Sequence, residues 1–125
     1  MYYPSEKPLV NGDKMSKKSL KIEEGTCVVL HLHNPREKLW GLITDISMAG
    51  IQIRGIDLHT FDDWVRMITR NEQNIALTHV FFPMWRVERI TLDETVGEIP
   101  SLQEVFQLRV GVSLKEYLGE DELVS

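Results

Sequence analysis

Apolar residues come in short runs broken by turn residues. The run Cys27-Val28-Val29-Leu30-His31-Leu32 is apolar and β-branched almost throughout. That composition predicts a strand with Val28, Leu30 and Leu32 on one face. Asn34-Pro35-Arg36-Glu37-Lys38 is a polar turn in which Pro35 pre-sets φ. Leu39 to Ile46 is a second strand, and Gly41 inside it marks a sharp bend. Ser47-Met48-Ala49-Gly50 is a tight turn. Ile51 to Ile56 then alternates apolar and polar residues, as a strand with one wet face does.

The period then changes. Phe61, Trp64, Val65 and Ile68 fall at i, i+3, i+4 and i+7 and form one apolar helix face. Thr60 can cap this helix, and Asp62 and Asp63 suit its first turn. Residues 70–73 form a loop and residues 75–82 a fourth strand, ended by Pro83. Val87 to Leu92 is a fifth strand, with Val87, Arg89 and Thr91 on one face and Glu88, Ile90 and Leu92 on the other. The last quarter is helical. Ser101-Leu102-Gln103-Glu104 and Ser113-Leu114-Lys115-Glu116 both have the spacing of a capping box. Leu102, Val105, Phe106 and Val110 line one apolar face, and Leu114, Tyr117 and Leu118 another.

Composition narrows the class. The 125 residues correspond to one domain, with 42% hydrophobic and 26% charged residues. A single cysteine, Cys27, excludes an internal disulfide framework and suits a reducing compartment. No secretory leader or membrane span is expected, and the expected location is cytoplasmic. Net charge is −5, which argues against a generally basic nucleic-acid binder. The charge is uneven: residues 1–24 carry +1, residues 25–95 carry −2, and residues 96–125 carry −4. The expected organisation is a flexible leader over residues 1–20, a β domain over 21–95 and a C-terminal helical extension over 96–125. Lys14, Lys17 and Lys18 lie in the leader.

Residues 24–94 resemble the Sm-like family. The resemblance rests on Val28-Val29-Leu30, Gly41-Leu42-Ile43, Ile46-Ser47 and Ile51-Gln52-Ile53 in that order, and on Val80 to Ile90 as two strands with a very short turn. It implies a mainly β fold with some α: a five-stranded SH3-like or Sm-like barrel carrying an inserted short helix and C-terminal helices. It further implies assembly of copies through edge strands, and RNA as the nucleic-acid partner to consider, with no DNA. In that arrangement the Ser47–Gly50 turn and the Trp85–Arg86 turn lie near one another at the ring's pore, so Met48, Trp85 and Arg86 are the candidate ligand-binding residues. The family's Asp position is Ser47 here, its Asn position falls near Gly50 or Ile51, and the Arg-Gly pair of its second motif is missing. The resemblance therefore speaks to the barrel and its ring-forming habit more than to RNA.

Asp45-Ile46-Ser47-Met48-Ala49-Gly50 also resembles the Asp-x-Ser-x-x-Gly motif of PilZ domains. That resemblance implies a cyclic di-GMP site built from Asp45, Ser47 and Gly50 with an arginine pair, for which Arg66 and Arg70 have the spacing. In that family the pair precedes the motif, whereas here it follows.

Other chemistry is sparse. His31 and His33 share a strand face at i and i+2, but zinc needs three or four ligands and no further motif accompanies them. Asp62 and Asp63 are adjacent on a helix and so do not face each other. Cys27 lies in an apolar strand, where a thiol is inert. Nucleophile elbows and phosphate-cradling loops are missing from the sequence. The expectation is a non-enzymatic module with no cofactor, metal site or membrane partner, whose C-terminal helices could also receive a protein partner. In the stretch from Phe81 to Arg86, the alternative to ligand binding is that Phe81 and Met84 fill the core and Trp85 covers it.

Overall fold

The first strand is apolar along both faces because both faces are covered. A computed structural model describes residues 21–72 and 77–124. Its elements are β1 (Cys27–Leu32), β2 (Glu37–Ile46), β3 (Gly50–Asp57), α1 (Phe61–Thr69), β4 (Thr78–Pro83), β5 (Val87–Leu92), α2 (Leu102–Val110) and α3 (Leu114–Val124). The strands form one antiparallel sheet in the order β4-β3-β2-β1-β5. The chain is thus mainly β with α, as the pattern predicts. Residues 75–76 of the expected fourth strand and the whole of the 1–20 leader lie outside the described residues.

One face of the sheet carries a core whose buried members among the described residues all come from strands, with Ile22 ahead of β1 packed against it. Val28, Leu30, Leu32, Leu39, Ile43, Ile51, Ile53 and Phe82 are buried together there. Val80 from β4 and Val87, Ile90 and Leu92 from β5 pack on the same cluster. The two end strands therefore both contribute to one core, and the sheet is curled. Gly41 stands opposite Gly55 in the β2–β3 ladder. A Cβ at Gly41 would lie 2.3 Å from the Arg54 carbonyl oxygen, so only glycine lets the strands approach this closely.

The expected closed barrel is not formed. Among the described residues β4 pairs only with β3 and β5 only with β1, and no ladder joins β4 to β5. Pro83 ends β4 without a donor, and a single 3-10 turn, Met84–Arg86, leads to β5 in place of a hairpin.

The helices cover the other face. Trp40 and Cys27 from the sheet are buried with Phe61, Trp64 and Val65 of α1, Phe106 of α2, and Leu114 and Leu118 of α3. Trp40 meets Phe61 edge-on at 5.0 Å between ring centres, and Trp64 stacks on Phe106 at 5.3 Å. The apolar stripes of the C-terminal helices are thus turned into this core. Among the described residues no helix is long and apolar enough to cross a membrane.

Three local expectations change. Leu32 pairs with Val87 and His31 with Arg89, so Glu88 is an extra residue in a β-bulge. The bulge puts Val87 on the same side as Ile90 and Leu92, against simple alternation. Thr60 makes no side-chain cap; its hydroxyl instead donates to the Asp57 carbonyl, while the Asp57 carboxylate accepts the His59 amide at 2.8 Å. Ser101 does cap α2, accepting the Glu104 amide at 3.0 Å, but the Ser101 amide donates to Thr95 rather than to Glu104. The Glu104 carboxylate takes the Thr95 hydroxyl instead. The second box is complete, with Ser113 and Glu116 bonded reciprocally.

Candidate functional site

Two turns from distant parts of the chain meet at one end of the sheet. The first is a two-residue hairpin turn, Met48-Ala49, closed by paired backbone bonds between Ser47 and Gly50 at 3.0 and 3.3 Å. The Ser47 hydroxyl accepts the Ala49 amide at 3.2 Å. The second is the 3-10 turn at Met84–Arg86. The Met84 amide donates to the Ala49 carbonyl at 2.9 Å and ties the turns together. Gly50 completes the contact: a Cβ there would come within 2.5 Å of the Phe81 ring. The Phe81 ring therefore lies across the hairpin backbone.

This junction exposes apolar side chains. Met48 is 95% exposed, Trp85 64%, Phe81 52% and Met84 36%. Phe81 and Met84 are thus largely outside the core, and Phe82 is the buried member of the stretch. The sequence carries a signal for this: Phe81 alternates with Val80 and Phe82 and shares its face with His79.

Arg86 belongs to the same turn but its side chain is committed elsewhere. Its guanidinium donates to the His33 carbonyl at 2.8 Å, the Pro35 carbonyl at 3.1 Å and the Glu37 carboxylate at 2.7 Å. It also lies 5.5 Å from the centre of the Phe82 ring. Arg86 thereby clamps the β1–β2 turn against the start of β5. It is the only basic residue of the two turns, so Met48 and Trp85 have no turn cation beside them.

The residues of the cyclic di-GMP motif fall in two places. Asp45, Ser47 and Gly50 belong to the hairpin end of β2 and β3. Arg66 and Arg70 belong to α1 and its C-terminal cap. The Arg66 guanidinium is paired with Asp63 at 2.8 Å. Among the described residues no hydrogen bond or ion pair joins the two groups.

Histidines and acids are dispersed. His31 Nε2 and the Thr91 hydroxyl lie 2.9 Å apart across the β1–β5 ladder. Burial and the nearby charges of Arg89 and Lys38 hold the His31 imidazolium below its ordinary range. His33 lies beyond the end of β1, next to Asn34. Asp62 pairs with Arg109 of α2 and Asp63 with Arg66, so the adjacent acids serve different partners. Among the described residues no three His, Cys, Asp or Glu side chains form a group that could hold a metal.

Asp93, just after β5, is a residue the pattern gave no reason to single out. Its carboxylate accepts the Trp40 indole N–H at 3.0 Å and the Leu102 and Gln103 amides at 2.7 and 2.9 Å. The Cys27 thiol lies 3.6 Å from the same carboxylate. Burial, with the Asp93 charge added to it, pushes the Cys27 thiol far up, so it stays protonated and unreactive.

Comparison with protein-family models, curated proteins and solved structures finds no match for this chain.

Proposed function

We propose that this protein is a non-enzymatic binding module, an Sm-like unit that assembles with copies of itself through β4 and β5. The observation that carries the reading is the open sheet, whose two end strands have no second neighbour among the described residues, with an exposed apolar junction beside one of them. Free strand edges pair readily, and head-to-tail pairing of unlike edges closes into rings. The curled sheet, the very short turn between β4 and β5, and a core whose buried members among the described residues come from the strands support the Sm-like reading.

The exposed side chains favour protein over RNA as the partner at the junction. Met, Phe and Trp suit a desolvated protein contact. RNA affinity comes largely from phosphates met by cations, and Arg86, the basic residue of these turns, is held by Glu37. The test is the solution mass of the full chain: a multiple of 14.5 kDa is expected.

A further inference from the structure

On the face of the sheet that the helices cover, Trp40, Val29 and Thr91 stand abreast on β2, β1 and β5. Side chains two residues apart on a strand share a face, so the next row on that face is Lys38, His31 and Arg89. The register sets Lys38 opposite His31 on one side and Arg89 opposite it on the other. Lys38 and Arg89 are exposed and His31 is half-buried. Among the described residues neither Lys38 nor Arg89 has an ion pair. Like charges directly opposite one another on a sheet are destabilising, and the chain as a whole is acidic, at −5. A row of three basic side chains is therefore not a by-product of composition.

The β-bulge is a second observation. Counted from the Leu32–Val87 pair, a regular ladder sets the acid Glu88 opposite His31; the bulge passes over Glu88 and sets Arg89 there. Bulges commonly re-aim a side chain beside a functional site. The imidazole responds to its neighbours. Burial, then Arg89 and Lys38, disfavour its protonated form, and Glu88 is the acid that opposes them. His31 Nε2 lies 2.9 Å from the Thr91 hydroxyl, which leaves Nδ1 for an outside partner.

We propose that the Lys38–His31–Arg89 row binds a dianionic phosphate group, free or carried as a monoester. Three of its oxygens accept from the Lys38 ammonium, the Arg89 guanidinium and the His31 Nδ1–H. The imidazole takes up a proton as the anion binds, since both ring nitrogens then donate. A phosphomonoester brings a charge of about −1.5 to −2 and three strong acceptor oxygens, which matches two fixed cations and one that can be added. The row lies on the face of the sheet and not along its edge, so the site stands apart from self-assembly.

Methyl phosphate and dimethyl phosphate, titrated into the full chain at pH 7 and constant ionic strength, test the inference. Binding is read from the His31 Cε1–H resonance. Methyl phosphate is expected to move it saturably toward the imidazolium position and to bind at least tenfold more tightly than the diester. The His79 resonance, on β4 three strands from β1, should stay in place. Inorganic phosphate binding as tightly as methyl phosphate assigns the site to the free ion, and weaker binding assigns it to the monoester. Lys38→Gln and Arg89→Gln alter exposed side chains, so the melting temperature should hold. Each should weaken binding at least tenfold and, in the free chain, raise the His31 pKa toward its ordinary range. No saturable shift, an equal shift at His79, equal binding of the two esters, or unchanged affinity in either variant overturns the inference.

Discussion

The Trp40 indole N–H donates to the Asp93 carboxylate at 3.0 Å, across 53 residues of chain. The same carboxylate accepts the first amides of α2, at Leu102 and Gln103. One side chain thus fixes a sheet tryptophan and the start of a helix together. Acids are favoured at helix N-termini, where amides lack intrahelical partners. Asp93→Ala leaves three donors without their acceptor, at about 1–3 kcal/mol for each one buried. Urea unfolding should show a loss of about 3 kcal/mol, with partial compensation by water at the helix end. A loss below about 0.5 kcal/mol, the range of ordinary surface substitutions, would contradict this role.

Glycine 41 is required by the approach of β3. Its Cβ would fall 2.3 Å from the Arg54 carbonyl oxygen and 2.5 Å from the Gly55 Cα, and both are backbone atoms that cannot swing away. Gly41→Ala should cost about 3 kcal/mol, at the upper end of overpacking substitutions. Gly119 in α3 is the control, since a Cβ there meets nothing within 4 Å. Gly119→Ala should stabilise by about 0.5–1 kcal/mol through helix propensity. Equal effects of the two substitutions in thermal unfolding would refute the argument.

Strands and helices were legible where hydrophobic period alone decides them. The Cys27–Leu32 run, the helix face of Phe61, Trp64 and Val65, and the two Ser caps all appear where the pattern puts them. What depends on a distant partner was not legible. The Glu88 bulge exists only in register with β1, and nothing local marks it. Arg86 in a tight turn reads as a free cation, but its acceptors lie about fifty residues earlier. Asp93 is one acid among many until Trp40 and α2 converge on it. The candidate junction was half legible. The meeting of its turns followed from the resemblance, whereas the outward direction of Phe81 was set by the ladder with β3.

Cys27 links folding to alkaline pH. Burial pushes its thiol above the ordinary range, with the Asp93 charge adding to the shift. The folded state therefore keeps a proton that the unfolded state releases. The contribution is fully present below the unfolded thiol pKa, about 8.5, and is lost as pH rises above it. Relative to Cys27→Ala, the wild-type chain should lose about 2 kcal/mol between pH 7 and pH 10, at 1.4 kcal/mol per unit above that pKa. Iodoacetamide at pH 8 should label the chain only after unfolding. Rapid labelling of the native chain, or a constant difference between the two proteins across this pH range, would contradict the account.

Sedimentation velocity of the full chain, run across a hundredfold range of concentration, tests self-assembly most directly. The account predicts a discrete species at a multiple of 14.5 kDa that is shifted toward monomer by Phe81→Lys in β4, an end strand of the sheet among the described residues. The lysine places a charge where an apolar side chain would be covered, so the shift should exceed tenfold in dissociation constant, about 1.4 kcal/mol. A 14.5 kDa monomer at every concentration, or an assembly indifferent to Phe81→Lys, would contradict it.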